Sequence, residues 1–197
     1  MTESTFKYEF SLTGSSLRVN EMILFATKYI NEGLLEFKSD KGTTNKRMVS
    51  EFKKRIDNLT VNQQELLLNS NFSNQKQLAF LSACKTYSLL RDFVIEVVRE
   101  KYLIMDFNLS DTDYISFIRR KEINHDELAN LTDQTQAKVK QVIFKILEQA
   151  GIIDNVRDKE IQLQLLGAST KKSIIEDNPE WLKVFLLSDM DIQNELN

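Results

Sequence analysis

Apolar residues along this chain recur mainly three and four positions apart, the spacing that predicts amphipathic helices. The exception comes first. In "FKYEFSL", residues 6–12, Phe6, Tyr8, Phe10 and Leu12 alternate with Lys7, Glu9 and Ser11. That alternation predicts a short strand or extended arm with one buried face. "TGSS" supplies a turn at Gly14 and capping hydroxyls at Ser15 and Ser16 for a helix that begins near Leu17 and stops at Gly33. Residues 38–47 read as a loop. A helix over 44–58 turns Met48, Val49, Phe52 and Ile56 inward, and a short helix covers 61–69. Ser73 is placed to cap a long helix over 74–104 whose apolar positions are too many for a narrow stripe. A helix of that kind packs on several sides, so Phe93 and Val97 are expected in the core.

From 107 the rhythm changes. "FNLSDTDYISFIRRKE" predicts an N-cap at Ser110 or Asp111 and a helix with Tyr114, Ile115, Phe117 and Ile118 inward. "INHDELANL" predicts a second, short helix. Residues 133–150 predict a third, with Val139, Val142, Ile143, Ile146, Leu147 and Ala150 on one face and Gly151 at its end. "IIDNVRDKEIQLQLL" alternates on both sides of "DNVRDK", which predicts a hairpin over 152–165 around 154–159. Helix, short helix, longer helix and hairpin is the order of a winged helix-turn-helix. In the tail, Asn178 is the expected N-cap, Pro179 the first helical residue, and Trp181, Leu182, Phe185 and Leu186 the apolar face. The expected fold class is therefore mainly α, a helical bundle with a winged-helix-like C-terminal half containing a short β-hairpin. The expected domains are 1–106, 107–167 and a helical tail, 168–197, packed back on the core.

Composition narrows the chemistry. With 197 residues, 42% hydrophobic and 28% charged, the chain can bury a real core. Cys84 is its only cysteine, which excludes an internal disulfide and a zinc knuckle. Cys84 reads as a small buried hydrophobe, and the single histidine, His125, as a surface or capping residue. No basic start precedes an apolar run, and no stretch is apolar enough to span a membrane, so the cytoplasm is the expected location. No phosphate-binding glycine loop, nucleophile elbow or metal-ligand pair is present, so no enzymatic activity, metal or cofactor is expected.

Charge points elsewhere. The net charge is only −3, so a nucleic-acid site must come from local clustering. Residues 38–55 hold Lys38, Lys41, Lys46, Arg47, Lys53, Lys54 and Arg55 against Asp40 and Glu51, seven cations to two carboxylates, a local +5. Arg119, Arg120 and Lys121 form a second cluster. Lys138, Lys140 and Lys145 form a third, on the expected recognition helix, and Arg157 and Lys159 fall at the expected hairpin tip. Such residues neutralise phosphates. A solvated helix face accounts for any one cluster; three clusters and a wing-like hairpin favour nucleic acid. The expected contacts are Lys46, Arg47, Lys53, Lys54, Arg55, Arg119, Arg120, Lys121, Lys138, Lys140, Arg157 and Lys159, with Lys53, Lys54 and Arg55 exposed.

"YEFSLTGSSL" at 8–17, "KTYSLLRDFVIEVVREKYLIMDFNLSDTDYISFIRRK" at 85–121, "KVKQVIFKILEQAGII" at 138–153 and "WLKVFL" at 181–186 resemble, in order, the BrxA family. That family is a small cytoplasmic component of BREX bacteriophage-resistance systems. The resemblance implies a mostly helical protein, similar in part to the NusB fold, that binds DNA, serves BREX defence and has no enzymatic activity of its own. Its expected partners are duplex DNA and other BREX proteins, with no membrane and no small-molecule substrate. Two other readings stand beside it: a protein–protein adaptor within the BREX assembly, and a NusB-like RNA-binding protein.

Overall fold

The structure is a computed structural model that describes residues 7–33 and 46–196. Phe6, Lys38, Asp40 and Lys41, and most of the expected 38–47 loop, lie outside the described residues. The elements are α1 (Val19–Glu32), α2 (Lys46–Asp57), α3 (Val61–Asn69), α4 (Phe72–Thr86), α5 (Ser88–Phe93), a π-helical turn (Val94–Arg99) and α6 (Glu100–Leu103). Then follow α7 (Asp111–Glu122), α8 (Asp126–Ala129), α9 (Asp133–Ala150), α10 (Ala168–Asp177), a 3-10 helix (Pro179–Phe185) and α11 (Asp189–Leu196). Buried residues from Tyr8 to Ile192 join one apolar cluster.

The central element is α4. Every residue from Gln77 to Cys84 is buried, because α1, α2, α3, α9 and α10 surround it. The expected continuous helix over 74–104 is not what forms. Asn71, not Ser73, caps α4. At Tyr87 the backbone leaves the helix, with φ −115° and ψ 97°. There the hydroxyl of Tyr87 meets Arg55 and Glu51 of α2, and α5 restarts one residue later. The π-helical turn then shifts the facing of the last turns. Phe93 is fully buried, whereas Val97 is half-buried.

The charged strip of these turns braces the second half of the chain. Glu96 accepts from Arg120 and Lys121, and Arg99 donates to the Leu187 carbonyl. Ser110 and Asp113 close a capping box at the start of α7. Gly151 ends α9 at φ 78°, a conformation an L side chain resists. Helix α10 lies within 168–197, the segment expected to be helical.

The winged reading is overturned. Among the described residues there is no strand, only two isolated bridges, Asn108 with Glu160 and Ile153 with Ile161. The cause is competition for the backbone groups. Asp154 Oδ1 accepts from the amides of Asn155 and Glu160, and Asn155 Oδ1 from those of Arg157 and Asp158. The amides of Ile152 and Ile153 close the end of α9 on the Leu147 carbonyl, and the outward-facing amide of Ile161 donates to the Phe107 carbonyl. Gln164 reaches the Gly151 carbonyl with its side chain. A two-stranded ladder cannot grow once side chains hold its donors and acceptors.

The N-terminal arm keeps its expected buried face, with Tyr8 and Leu12 buried and Lys7 and Glu9 exposed; among the described residues no strand pairs with it, and Ser11–Gly14 is a 3-10 turn. Cys84 is buried, as expected. His125 is buried, not superficial. Its ring lies 4.3 Å from that of Tyr8, and its Nδ1 is 3.0 Å from Glu127 Oε1, which also accepts the Tyr8 amide.

The Phe93 ring lies 5.3 Å from both Tyr114 and Phe117 and 6.0 Å from Phe144, so it joins α5 to α7 and α9. Phe93→Ala is expected to cost about 3–5 kcal/mol and to lower the melting temperature by about 10 °C. A variant that melts with the wild type would contradict this core.

Candidate nucleic-acid interface

Segment 13–18 and α9 face each other across a groove of about 720 Å³. Thr13, Gly14, Ser15, Ser16 and Arg18 line one side; Lys138, Lys140, Gln141, Val142, Phe144 and Lys145 line the other. Asp111, Val156 and Lys159 complete it. A second hollow, of about 660 Å³, shares Thr13, Lys138 and Gln141 with the first and adds Arg47, Gln134, Thr135 and Ala137. The two form one basic surface. It gathers Arg18, Arg47, Lys138, Lys140, Lys145 and Lys159 around a single lining carboxylate, Asp111.

The scaffold of the groove rests on Arg55. Its side chain is fully buried. Nε donates to the Tyr87 hydroxyl at 2.9 Å, Nη1 to the Ser16 carbonyl at 2.8 Å and Nη2 to the Ser15 carbonyl at 2.6 Å. Glu51, also buried, accepts from Tyr87 at 2.7 Å and from Ser11 at 3.0 Å. Burial, with the Glu51 hydrogen bond beside it, pushes the Tyr87 hydroxyl far above the ordinary tyrosine range, so it is neutral and donates to Glu51. On the far side the Arg18 amide donates to Gln149 of α9 at 3.1 Å. Gly14 has a steric role: a Cβ there would stand 2.9 Å from Arg47 Cγ. Its absence lets Arg47 cross the segment and donate to Thr13.

The cations differ in how far they are committed. Arg18 pairs with Glu21, and Lys145 with Glu148. Lys140 and Lys159 both hold Asp111, at 2.9 and 3.3 Å. Lys140, then Lys159, keeps the Asp111 carboxyl below the usual carboxylate range. Lys138 donates to Gln141 and Arg47 to Thr13, both neutral. The Arg18–Glu21 pair, open to water on both sides, is worth about 0.2–1 kcal/mol, so a phosphate can exchange with it.

Of the residues expected from sequence to contact DNA, the structure brings Arg47, Lys138, Lys140 and Lys159 together. Lys46 is exposed at the start of α2. Lys53 is held by Asp57 and sits 5.3 Å from the Tyr29 ring, and Lys54 is near Glu51 and Ser11. Arg55 is structural, which corrects its reading as an exposed contact. Arg120 and Lys121 pair with Glu96, and with Arg119 they stand away from the groove. Arg157 is 92% exposed at the loop tip beside Asp158. Arg18 went unread because it is an isolated cation in sequence, and Asp111 because a carboxylate in a first helical turn reads as a capping residue.

Among the described residues, no group of His, Cys, Asp and Glu side chains is placed to hold a metal ion. Nor is any described helix long and apolar enough to cross a membrane. Fold and groove together define a helical protein with one concave basic surface. The chain belongs to the BrxA family, whose model matches residues 6–178. It is 30% identical over 107 residues to the BREX protein BrxA of Bacillus cereus (strain H3081.97), an alignment covering 54% of each chain. The match thus spans about half the length of that relative. It is 25% identical over 144 residues to the BREX protein BrxA of Escherichia coli O9:H4 (strain HS), covering 68% of each. Its fold is similar to that of an uncharacterized protein from Magnetospirillum magneticum, with a TM-score of 0.77, 18% identity, and coverage of 92% of this chain and 98% of that one.

Arg55→Ala is expected to destabilise the protein by roughly 3–5 kcal/mol, because it strands two carbonyls and the buried Tyr87–Glu51 pair. Lys54→Ala is expected to cost under about 0.5 kcal/mol. Urea unfolding measures both, and equal costs would contradict the structural assignment of Arg55.

Proposed function

We propose that this protein is a non-enzymatic, double-stranded DNA-binding component of a BREX phage-defence system, and that it holds DNA mainly through phosphates. The observation that carries the reading is the convergence of six cations on one surface, the groove and the hollow beside it, in a chain whose net charge is −3. Phosphate contacts of this kind bind without reading sequence. Gln134, Thr135 and Gln141 are the polar groups able to reach a base edge. The one aromatic lining the groove, Phe144, is buried beneath Lys159. Stacking of unpaired bases therefore has no platform there, which favours duplex DNA over single-stranded RNA.

A second reading, an adaptor for other BREX proteins, draws on a different surface. Leu103, Ile104, Met105, Phe107, Leu163 and Leu165 are exposed, and the Ile161–Phe107 hydrogen bond brings the two segments side by side. Contact through such a surface responds weakly to salt, whereas phosphate contact responds steeply.

Fluorescence anisotropy with duplexes of unrelated sequence tests the DNA reading. Arg47→Glu with Lys138→Glu should weaken all duplexes alike and flatten the salt slope by about 2. Arg119→Gln with Arg120→Gln should leave affinity near that of the wild type. Absence of duplex binding by the wild type at low salt, or loss confined to the α7 pair, would overturn it.

A further inference from the structure

Asp111 stands out in the groove. It is the single carboxylate among the residues that line the groove, against five cations. Each of its oxygens takes one lysine: Oδ2 accepts from Lys140 and Oδ1 faces Lys159. Two adjacent anionic oxygens, each meeting one ammonium, is also what the two non-bridging oxygens of a backbone phosphate would present. The side chain is 51% exposed, so the position is open to an incoming anion.

The surrounding fold does not need Asp111. Helix α7 is started by the Ser110–Asp113 capping box. The 154–160 loop is held by Asp154 and Asn155 and by the Leu109 amide on the Lys159 carbonyl. The Lys159 ammonium rests 5.5 Å from the Phe144 ring, and Lys140 stands on α9. The backbone of each lysine is thus held by contacts other than the carboxylate.

We propose that Asp111 occupies the seat of one nucleic-acid phosphate, so that Lys140 and Lys159 are withheld from DNA and the groove binds duplexes more weakly than its cations allow. An arriving phosphate must displace the carboxylate from its lysines or bind without them, and it meets the repulsion of Asp111 in either case. The inference rests on the DNA-binding reading and adds a phosphate position and an affinity-limiting residue to it. A protein that contacts duplexes transiently gains from such a brake, since weaker phosphate contact speeds release and movement along DNA.

The test compares wild type, Asp111→Asn and Asp111→Ser by anisotropy with one duplex across a salt series. Serine keeps a residue suited to a helix start, should asparagine disturb α7. Both variants should bind more tightly at low salt. Two freed lysines should steepen the slope of log K against log salt by about 1.8, so that between about 50 and 200 mM the variants lose about tenfold more affinity than the wild type. Adding Lys140→Gln and Lys159→Gln should erase the gain. Wild-type binding with unchanged or weaker binding by both variants would overturn this inference alone, and would make Asp111 an organiser of its lysines. Tighter binding with an unchanged slope would overturn it too, since freed lysines must steepen the slope. Failure of wild type and variants alike to bind any duplex at low salt would overturn both this inference and the DNA reading.

Discussion

One buried guanidinium sets the shape of this protein. Arg55 has no solvent exposure, and it ties three things that are distant in sequence: α2, the Ser15 and Ser16 carbonyls, and the hydroxyl of Tyr87 where the long helix breaks. An arginine taken out of water is tolerated only when its donors are met. Here two carbonyls and a neutral phenol give each guanidinium nitrogen one acceptor, while Glu51 stands on the far side of the same phenol. The break at Tyr87 and the position of segment 13–18 are two ends of this one arrangement. The groove follows from it, because segment 13–18 is the wall opposite α9.

With that wall in place, electrostatics does the rest. The total charge would not draw a polyanion. What matters is that segment 13–18, α2, α9 and the loop after α9 each deliver one or more cations to the same concave surface, while the neighbouring carboxylates Glu21 and Glu148 lie outside its lining. Concave low-dielectric walls concentrate the field of the cations they carry. Asp111 is the exception, and it is the residue through which this chain can set how tightly the surface holds phosphate.

Much of the scaffold was legible in the sequence, and the reasons are local. Helix α9 has a clean apolar face and a terminal glycine, α7 has its capping box, and α2 has one apolar stripe. The groove was legible only in part. Lys53, Lys54 and Arg55 are one run in the sequence, but successive helical residues point about 100° apart. The run therefore sends Arg55 into the core and Lys53 toward Asp57 and Tyr29. Conversely, Arg18 and Lys138 meet through folding, with no sequence proximity to announce it. The hairpin expectation failed because period-two alternation records which side chains are buried, not where backbone hydrogen bonds go. Ile153 and Ile161 are buried as an alternating segment requires, yet Asp154 and Asn155 take the loop amides and the Leu147 carbonyl takes those of Ile152 and Ile153, so the ladder stops at one bridge. His125 stands at the N-cap position of α8, one of its two expected roles, but its burial was not legible, because only its neighbours Tyr8 and Glu127 explain it.

The central claim is that duplex DNA sits in the groove between segment 13–18 and α9. Amide hydrogen exchange of the full-length protein, with and without a duplex at low salt, tests it directly. The account predicts new protection concentrated at 13–18 and 134–145, with 115–122 unchanged. Protection centred on 115–122, or a duplex-bound protein with no added protection at 13–18, would contradict it.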